Sequence, residues 1–370
     1  MTASDLDIFL VGIPGLESCL AEEAREQGFS QPVISPGGVT VTGGWPDVWR
    51  ANVVLRGASR VLVRIGSFRA MHLAQLDKRA RKFPWADTLR ADIPLKVETT
   101  CKRSRIYHAG AATQRMETAI RETLGAPISK EASLVVKVRI DDDLCTISLD
   151  TSGEPLHRRG HKQAIGKAPM RETLAALFLR QCGYDGSEPL VDPMCGSGTF
   201  VIEAAEIAAG LLPGRSRAFA FEQFANASPA ALAALRKPAA KPDGALQFFG
   251  SDRDAGAVRM ATENAERAGV GAVTRFDQHS VSDLMPPDSP PGLVMVNPPY
   301  GARIGNKKLL YAVYGALGKT LKERFSGWRV GLVTSERGLA KATALPFAPL
   351  GPNIPHGGLG IALYQTGALR

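Results

Sequence analysis

"PLVDPMCGSGTFVIEAA" (residues 189–205) carries the reading of the fold: an apolar run ends in Asp192, a glycine turn follows, and an apolar helix starts at once. A strand–turn–helix unit of this kind opens an alternating α/β layer. The apolar segments "LQFFGSD", "AVTRF", "GLVMVNPP" and "WRVGLVTS" follow, with helical or turn stretches between them. Their alternation predicts a parallel sheet covered by helices on both faces. A stretch rich in Ala and Pro, 228–245, interrupts the pattern and reads as a surface insertion.

The glycine turn itself limits the ligand. Gly196 and Gly198 let the backbone approach a bound group closely and swing into a helix N-terminus, which favours electron-rich groups. Val201 stands where a dinucleotide fingerprint needs its third glycine, and no Lys follows as a P-loop requires. Asp192 repels a pyrophosphate but accepts hydrogen bonds from a cationic amino-acid moiety. S-adenosylmethionine, with its ammonium and sulfonium, fits those charges. Asp252 closes the second strand, where a doubly wound fold holds an acid against ribose hydroxyls. The plainer role for Asp252 or Asp254 is to cap the following helix.

"LVMVNPPYG" (293–301) ends the fourth strand on the same edge of the expected sheet. Two prolines lack N–H groups, so the carbonyls of the loop can point outward without an internal donor claiming them. The Asn297 side-chain carbonyl and the Pro298 backbone oxygen can together accept both protons of a planar amino group, and Tyr300 offers a flat face for a base. A rigid turn is the alternative for these residues taken alone.

Residues 1–66 alternate strand, helix, hairpin, helix and strand; from 67 a second α/β unit runs to the paired strands "SLVVKVRI" and "LCTISLD". Residues 51–139 hold 18 Lys/Arg against 7 Asp/Glu, a local excess of eleven in a chain whose net charge is +9. The densest parts, "DKRARK" (77–82) and "CKRSR" (101–105), suit phosphate contacts on nucleic acid, or else solvated faces. The glycine-rich stretch 151–168 reads as an inter-domain connection, and its His157 and His161 as polar linker or RNA-contact residues. Five scattered cysteines without a C-x-x-C pair argue against a zinc knuckle or a disulfide framework, so no metal is expected. The N-terminal "MTASDLDIFL" carries acids where a signal peptide carries lysines, and no apolar run nears the length of a membrane span. A cytoplasmic protein without a membrane partner is expected.

"DPMCGSGT" followed by "NPPYG" resembles the class I S-adenosylmethionine-dependent methyltransferases that modify exocyclic or amide nitrogens. "DTSGEPLHRRGHK" with "KAPMRETLAA" (150–176) resembles the junction of THUMP-domain RNA methyltransferases, nearest the RlmL-type guanine-N2 enzymes of large-subunit rRNA. "GGVTV" (37–41) and "RIYHAGAA" (105–112) extend the likeness into the N-terminal half. The resemblance implies a ferredoxin-like domain over 1–66, a THUMP RNA-binding domain over 67–155 and a Rossmann-like methyltransferase over 156–370. It places Asp192, Pro193, Gly196 and Gly198 in the cofactor loop, makes Asp252 the ribose-binding acid, and puts Asn297, Pro298 and Tyr300 in the target-amine loop. One position departs: where these enzymes carry an acid beside the adenine amine, the counterpart is Ser280, with Asp277 and Asp283 nearby. The implied reaction moves a methyl group to the N2 amine of a guanine in RNA, ribosomal first and transfer RNA second. DNA adenine-N6 or protein glutamine-N5 methylation, and a non-catalytic RNA-binding assembly factor, are the competing readings.

Overall fold

A computed structural model describes residues 6–163, 170–236, 248–301, 307–348 and 351–370. In chain order its elements are β1 (Leu6–Val11), α1 (Glu17–Glu26), β2 (Ser30–Ser35), β3 (Gly38–Gly43), α2 (Trp45–Val54), β4 (Arg60–Arg69), α3 (Leu73–Arg81), β5 (Leu95–Lys102), α4 (Ala109–Leu124), β6 (Leu134–Asp141) and β7 (Leu144–Asp150). Then follow α5 (Glu172–Gln181), β8 (Leu190–Asp192), α6 (Thr199–Ala208), α7 (Pro229–Leu235), β9 (Phe248–Asp252), α8 (Ala255–Ala268), β10 (Thr274–Gln278), β11 (Leu293–Val296), α9 (Lys307–Arg324), β12 (Arg329–Thr334), α10 (Arg337–Ala342), β13 (Ile354–His356) and β14 (Leu359–Gln365). They form two compact units: Met1–Gly12, Ala21–Leu156 and Ser216–Lys237 in the first; Ile13–Leu20, His157–Arg215 and Pro238–Arg370 in the second.

The first unit is built on one seven-stranded sheet of order β2-β3-β1-β4-β7-β6-β5. β1 to β4, with α1 and α2, give the βαββαβ order of a ferredoxin-like layer. β4 continues past residue 66 and pairs antiparallel with β7 from Leu62↔Asp150 to Arg69↔Leu144, so the strands on either side of that position share a sheet. Alternation puts Val61 and Val63 on the buried face, as expected of a half-covered strand. The segment from 216 joins this unit through aromatic packing: Phe221 stacks on Phe219 (centroids 5.1 Å apart) and lies 6.3 Å from Trp49, while Phe224 meets Trp45 edge-on at 5.9 Å. Arg217 donates to the carbonyls of Ser152, Glu154 and Pro155. The expected insertion therefore begins as a folded part of the first unit, with α7 capped by the Ser228 hydroxyl; its residues 237–245 lie outside the described residues.

The second unit carries the other seven-stranded sheet, order β10-β9-β8-β11-β12-β14-β13. Its first five strands in that order are parallel, as the sequence predicts. The last two depart from the expected parallel sheet: β14 runs antiparallel to β12, and β13 antiparallel to β14. Gly357 and Gly358, at φ 58° and 83°, make the two-residue turn that the tight reversal requires. β11, buried along its whole length, and β12 lie mid-sheet, and their continuous apolar runs are covered by Leu310, Tyr314, Leu317 and Leu321 of α9 and Leu339 of α10.

Candidate active site

β8 and β11 are parallel neighbours, but the chain leaves β8 toward β9 and leaves β11 toward β12, on opposite sides. The crevice beyond their carboxyl ends is a topological switch point, where open α/β sheets bind ligands. Asp192 ends β8 and Asn297 follows β11, so the two motifs read from the sequence meet there.

The turn after β8 is held through its backbone N–H groups. Met194 N–H donates to the Asp192 carboxylate (3.1 Å), Cys195 N–H to the Ser251 carbonyl (2.9 Å), and Gly198 N–H to the Cys195 carbonyl (2.8 Å). Gly196 and Gly198 sit at φ 53° and 84°, the left-handed region that favours glycine. They serve different ends. A Cβ on Gly198 would stand 3.0 Å from Ala261 Cβ, so this position lets α6 pack against α8; a Cβ on Gly196 would meet nothing within 4 Å, so this one borders open space. Gly250, not singled out from the sequence, is equally required. A side chain there would stand 2.5 Å from the Phe276 ring and 3.2 Å from Cys195 Cβ.

Asp192 is 2% exposed, and burial pushes its carboxyl up to about 8; the Met194 N–H opposes that rise and the Asp252 charge adds to it. Pro193 is buried in the same turn. Asp252 ends β9 half-buried, accepting from Gly196 N–H (3.1 Å) and Asp254 N–H (3.0 Å), so the acid and the glycine turn are directly joined. Asp254 is the α8 cap, accepting from Gly256 N–H at 2.8 Å. His279 N–H donates to the Asp252 carbonyl, which sets the next residue, Ser280, alongside. The Ser280 hydroxyl is exposed and donates to Asp283 at 2.8 Å, whereas Asp277 is engaged by Arg275 at 2.8 Å.

On the other side of the crevice the Asn297 side-chain oxygen is buried and has no hydrogen-bond partner among the described residues. An acceptor withdrawn from water and left unmatched costs about 1–3 kcal/mol, a penalty that a ligand donor would remove. Pro298 is buried, and Tyr300 is partly buried against the core cluster, with burial raising its hydroxyl. Gly301 (φ 80°) donates its N–H to the Glu336 carboxylate at 3.3 Å, a contact that the sequence reading did not anticipate because it joins residues 35 apart.

The "HRRGHK" segment (157–162) is also unlike its sequence reading. Arg159 meets Glu203 of α6 at 3.3 Å with both side chains 1% exposed, and Lys162 reaches Thr199 Oγ1 and the Met170 carbonyl, each at 2.8 Å. His161 is 6% exposed, 3.7 Å from Glu206, and burial lowers its basicity. His161 is thus a core residue behind the glycine turn and not an exposed RNA contact. Residues 164–168 of the expected connection lie outside the described residues.

The RMKL-like methyltransferase domain matches residues 159–346, and the RlmL ferredoxin-like domain matches 7–62. The chain belongs to the RMKL-like methyltransferase family. It is 35% identical over 91% of its length to the ribosomal RNA large subunit methyltransferase K/L of Syntrophotalea carbinolica, and spans about half, 50%, of that protein. The Synechocystis protein named "Putative RNA methyltransferase slr0064" is 30% identical, with 95% of this chain and 94% of that protein covered. Among solved structures, a predicted N6-adenine-specific DNA methylase from Listeria monocytogenes superposes with a TM-score of 0.86 at 28% identity, over 98% of this chain and 96% of that one. Among the described residues no helix is long and apolar enough to cross a membrane.

Proposed function

We propose that the chain is an S-adenosylmethionine-dependent RNA methyltransferase that modifies the N2 amine of a guanine in large-subunit rRNA. The observation that carries this reading is the Asn297 oxygen, buried and unmatched across the switch-point crevice from the Asp192 turn. The names of the K/L and Synechocystis relatives support RNA as substrate, and the basic stretch 51–139 supports it independently. In this reading 1–66 is the ferredoxin-like domain, 67–155 a THUMP domain and 156–370 the methyltransferase.

The residues present fit the cofactor. Asp192 is a desolvated carboxyl suited to an ammonium, Gly196 leaves the space a bulkier residue would fill, and Asp252 keeps acceptor capacity beyond its two N–H partners for ribose hydroxyls. Ser280 and Asp283, joined by their hydrogen bond, supply between them the polar group that an adenine amine needs. When bound, the cofactor supplies an electrophilic methyl group. Asn297 Oδ1 and the Pro298 carbonyl then accept the two N–H of the guanine amine, which draws the nitrogen lone pair out of the ring and stabilises the charge that develops there. Tyr300 holds the flipped base, and solvent takes the proton released.

Asn297→Ala is expected to lower kcat by about 10²–10³-fold, the usual loss when one preorganised partner of a developing charge is removed. Its affinity for the cofactor should stay within a few-fold of wild type. Methyl transfer to protein-free rRNA, followed by mass spectrometry of the nucleosides, measures both rate and product. Full activity in the variant refutes the role of Asn297, and N6-methyladenosine as the product refutes the guanine assignment.

A further inference from the structure

The target-amine loop alone does not choose between guanine and adenine, since both bases offer a planar exocyclic amine. The bases differ in the atom beside that amine. In guanine the N2 group is flanked by N1–H, a donor; in adenine the N6 group is flanked by N1, an acceptor. A carboxylate at the rim of the amine site would accept from the first and repel the second.

Glu336 stands at that rim. β12 is the parallel neighbour of β11, with Val296 opposite Leu332, so the residues just beyond the two strand ends lie side by side. Glu336 Oε1 accepts from Gly301 N–H at 3.3 Å, and Gly301 immediately follows Tyr300, the residue assigned to stack the base. The backbone beneath it is fixed: Thr334, fully buried, accepts from Glu336 N–H (3.3 Å) and from the Tyr314 hydroxyl (3.2 Å). Glu336 is partly exposed, and among the described residues its second oxygen makes no hydrogen bond and no cation pairs with it. A carboxylate so placed, with one oxygen occupied by the loop and one open, is a matched acceptor for a single ring N–H.

We propose that Glu336 selects guanine by accepting its N1–H while Asn297 and Pro298 hold the N2 amine. The inference rests on the guanine-N2 reading above. It makes Glu336 a specificity-determining residue whose effect reads out in the identity of the base.

The test uses a synthetic RNA spanning the guanine mapped by nucleoside mass spectrometry, and the same RNA with 2-aminopurine at that position. The analogue keeps the N2 amine but turns N1 into an acceptor. Wild type is expected to prefer guanine about ten- to a hundredfold in kcat/KM, the scale of one hydrogen bond to a charged group. Glu336→Gln keeps an oxygen for Gly301 and gains an amide donor for the analogue's N1, so the preference should fall to near unity or invert. If the residue merely anchors the loop, both substrates slow alike and the ratio is unchanged, which overturns the proposal. A wild-type enzyme that methylates no guanine but does methylate adenine overturns the underlying reading instead.

Discussion

At the scale of single residues, the site consists of groups held in states that they would not choose alone. Asp192 keeps a proton in the folded chain up to about pH 8, whereas an exposed carboxyl loses it near 4. A carboxyl raised by folding contributes stability that is fully present below about pH 4 and lost as pH rises through about 8, because the unfolded chain releases the proton first. Asp192→Asn removes that dependence. The melting temperature of the variant relative to wild type should therefore rise steadily between pH 5 and pH 8 in the absence of cofactor, read by thermal unfolding in matched buffers. A difference that is flat with pH would show that Asp192 is ionised in the free protein. The same substitution should weaken cofactor binding, since a neutral amide answers an ammonium less well than a carboxylate.

At the scale of elements, strand ends were the legible part. Asp192, Asp252 and Asn297 each close an apolar run, and period and punctuation suffice to place all three on one sheet edge. What could not be read are pairings between distant polar residues. Arg159 and Glu203 are 44 positions apart, and a buried ion pair leaves no periodicity in either segment; the same holds for Gly301 and Glu336. The β13–β14 hairpin escaped because its strands are flanked by glycine and proline, which read as loop until β12 is known to offer them an edge. The Arg159 strap has an energetic consequence. Truncating one member of a buried pair is destabilising, by up to about 3–5 kcal/mol. Glu203→Ala should lower stability in denaturant unfolding by up to that amount, and by more than Arg159→Met with Glu203→Leu, which removes both charges. A loss below about 1 kcal/mol in the single variant would mean that the strap does not hold α6 in place.

At the scale of the whole molecule, charge is unevenly spent. The excess of Lys and Arg between 51 and 139 outweighs that of the full chain, yet the two basic clusters are not equally available to a polyanion. In the first, Arg81 is claimed by Asp77 at 2.8 Å and Glu122 at 2.5 Å, while Lys78, Arg79 and Lys82 are exposed and make no ion pair among the described residues. In the second, Arg103 faces Asp141 at 2.9 Å and Arg105 faces Asp143 at 3.8 Å, leaving Lys102. Phosphate binding releases condensed counterions, so each cation that contacts single-stranded RNA adds about 0.7 to the slope of log affinity against log salt. Replacing Lys78, Arg79 and Lys82 together with Glu should weaken RNA binding and flatten that slope by about two, without loss of thermal stability, because no internal pair is broken. Arg81→Glu should do the reverse: it sets three acids against one another between α3 and α4 and lowers the melting temperature, with a smaller effect on the slope. Filter-binding titrations of both variants between about 50 and 200 mM salt separate the two outcomes. An unchanged slope in the triple variant would rule out the end of α3 as an RNA contact.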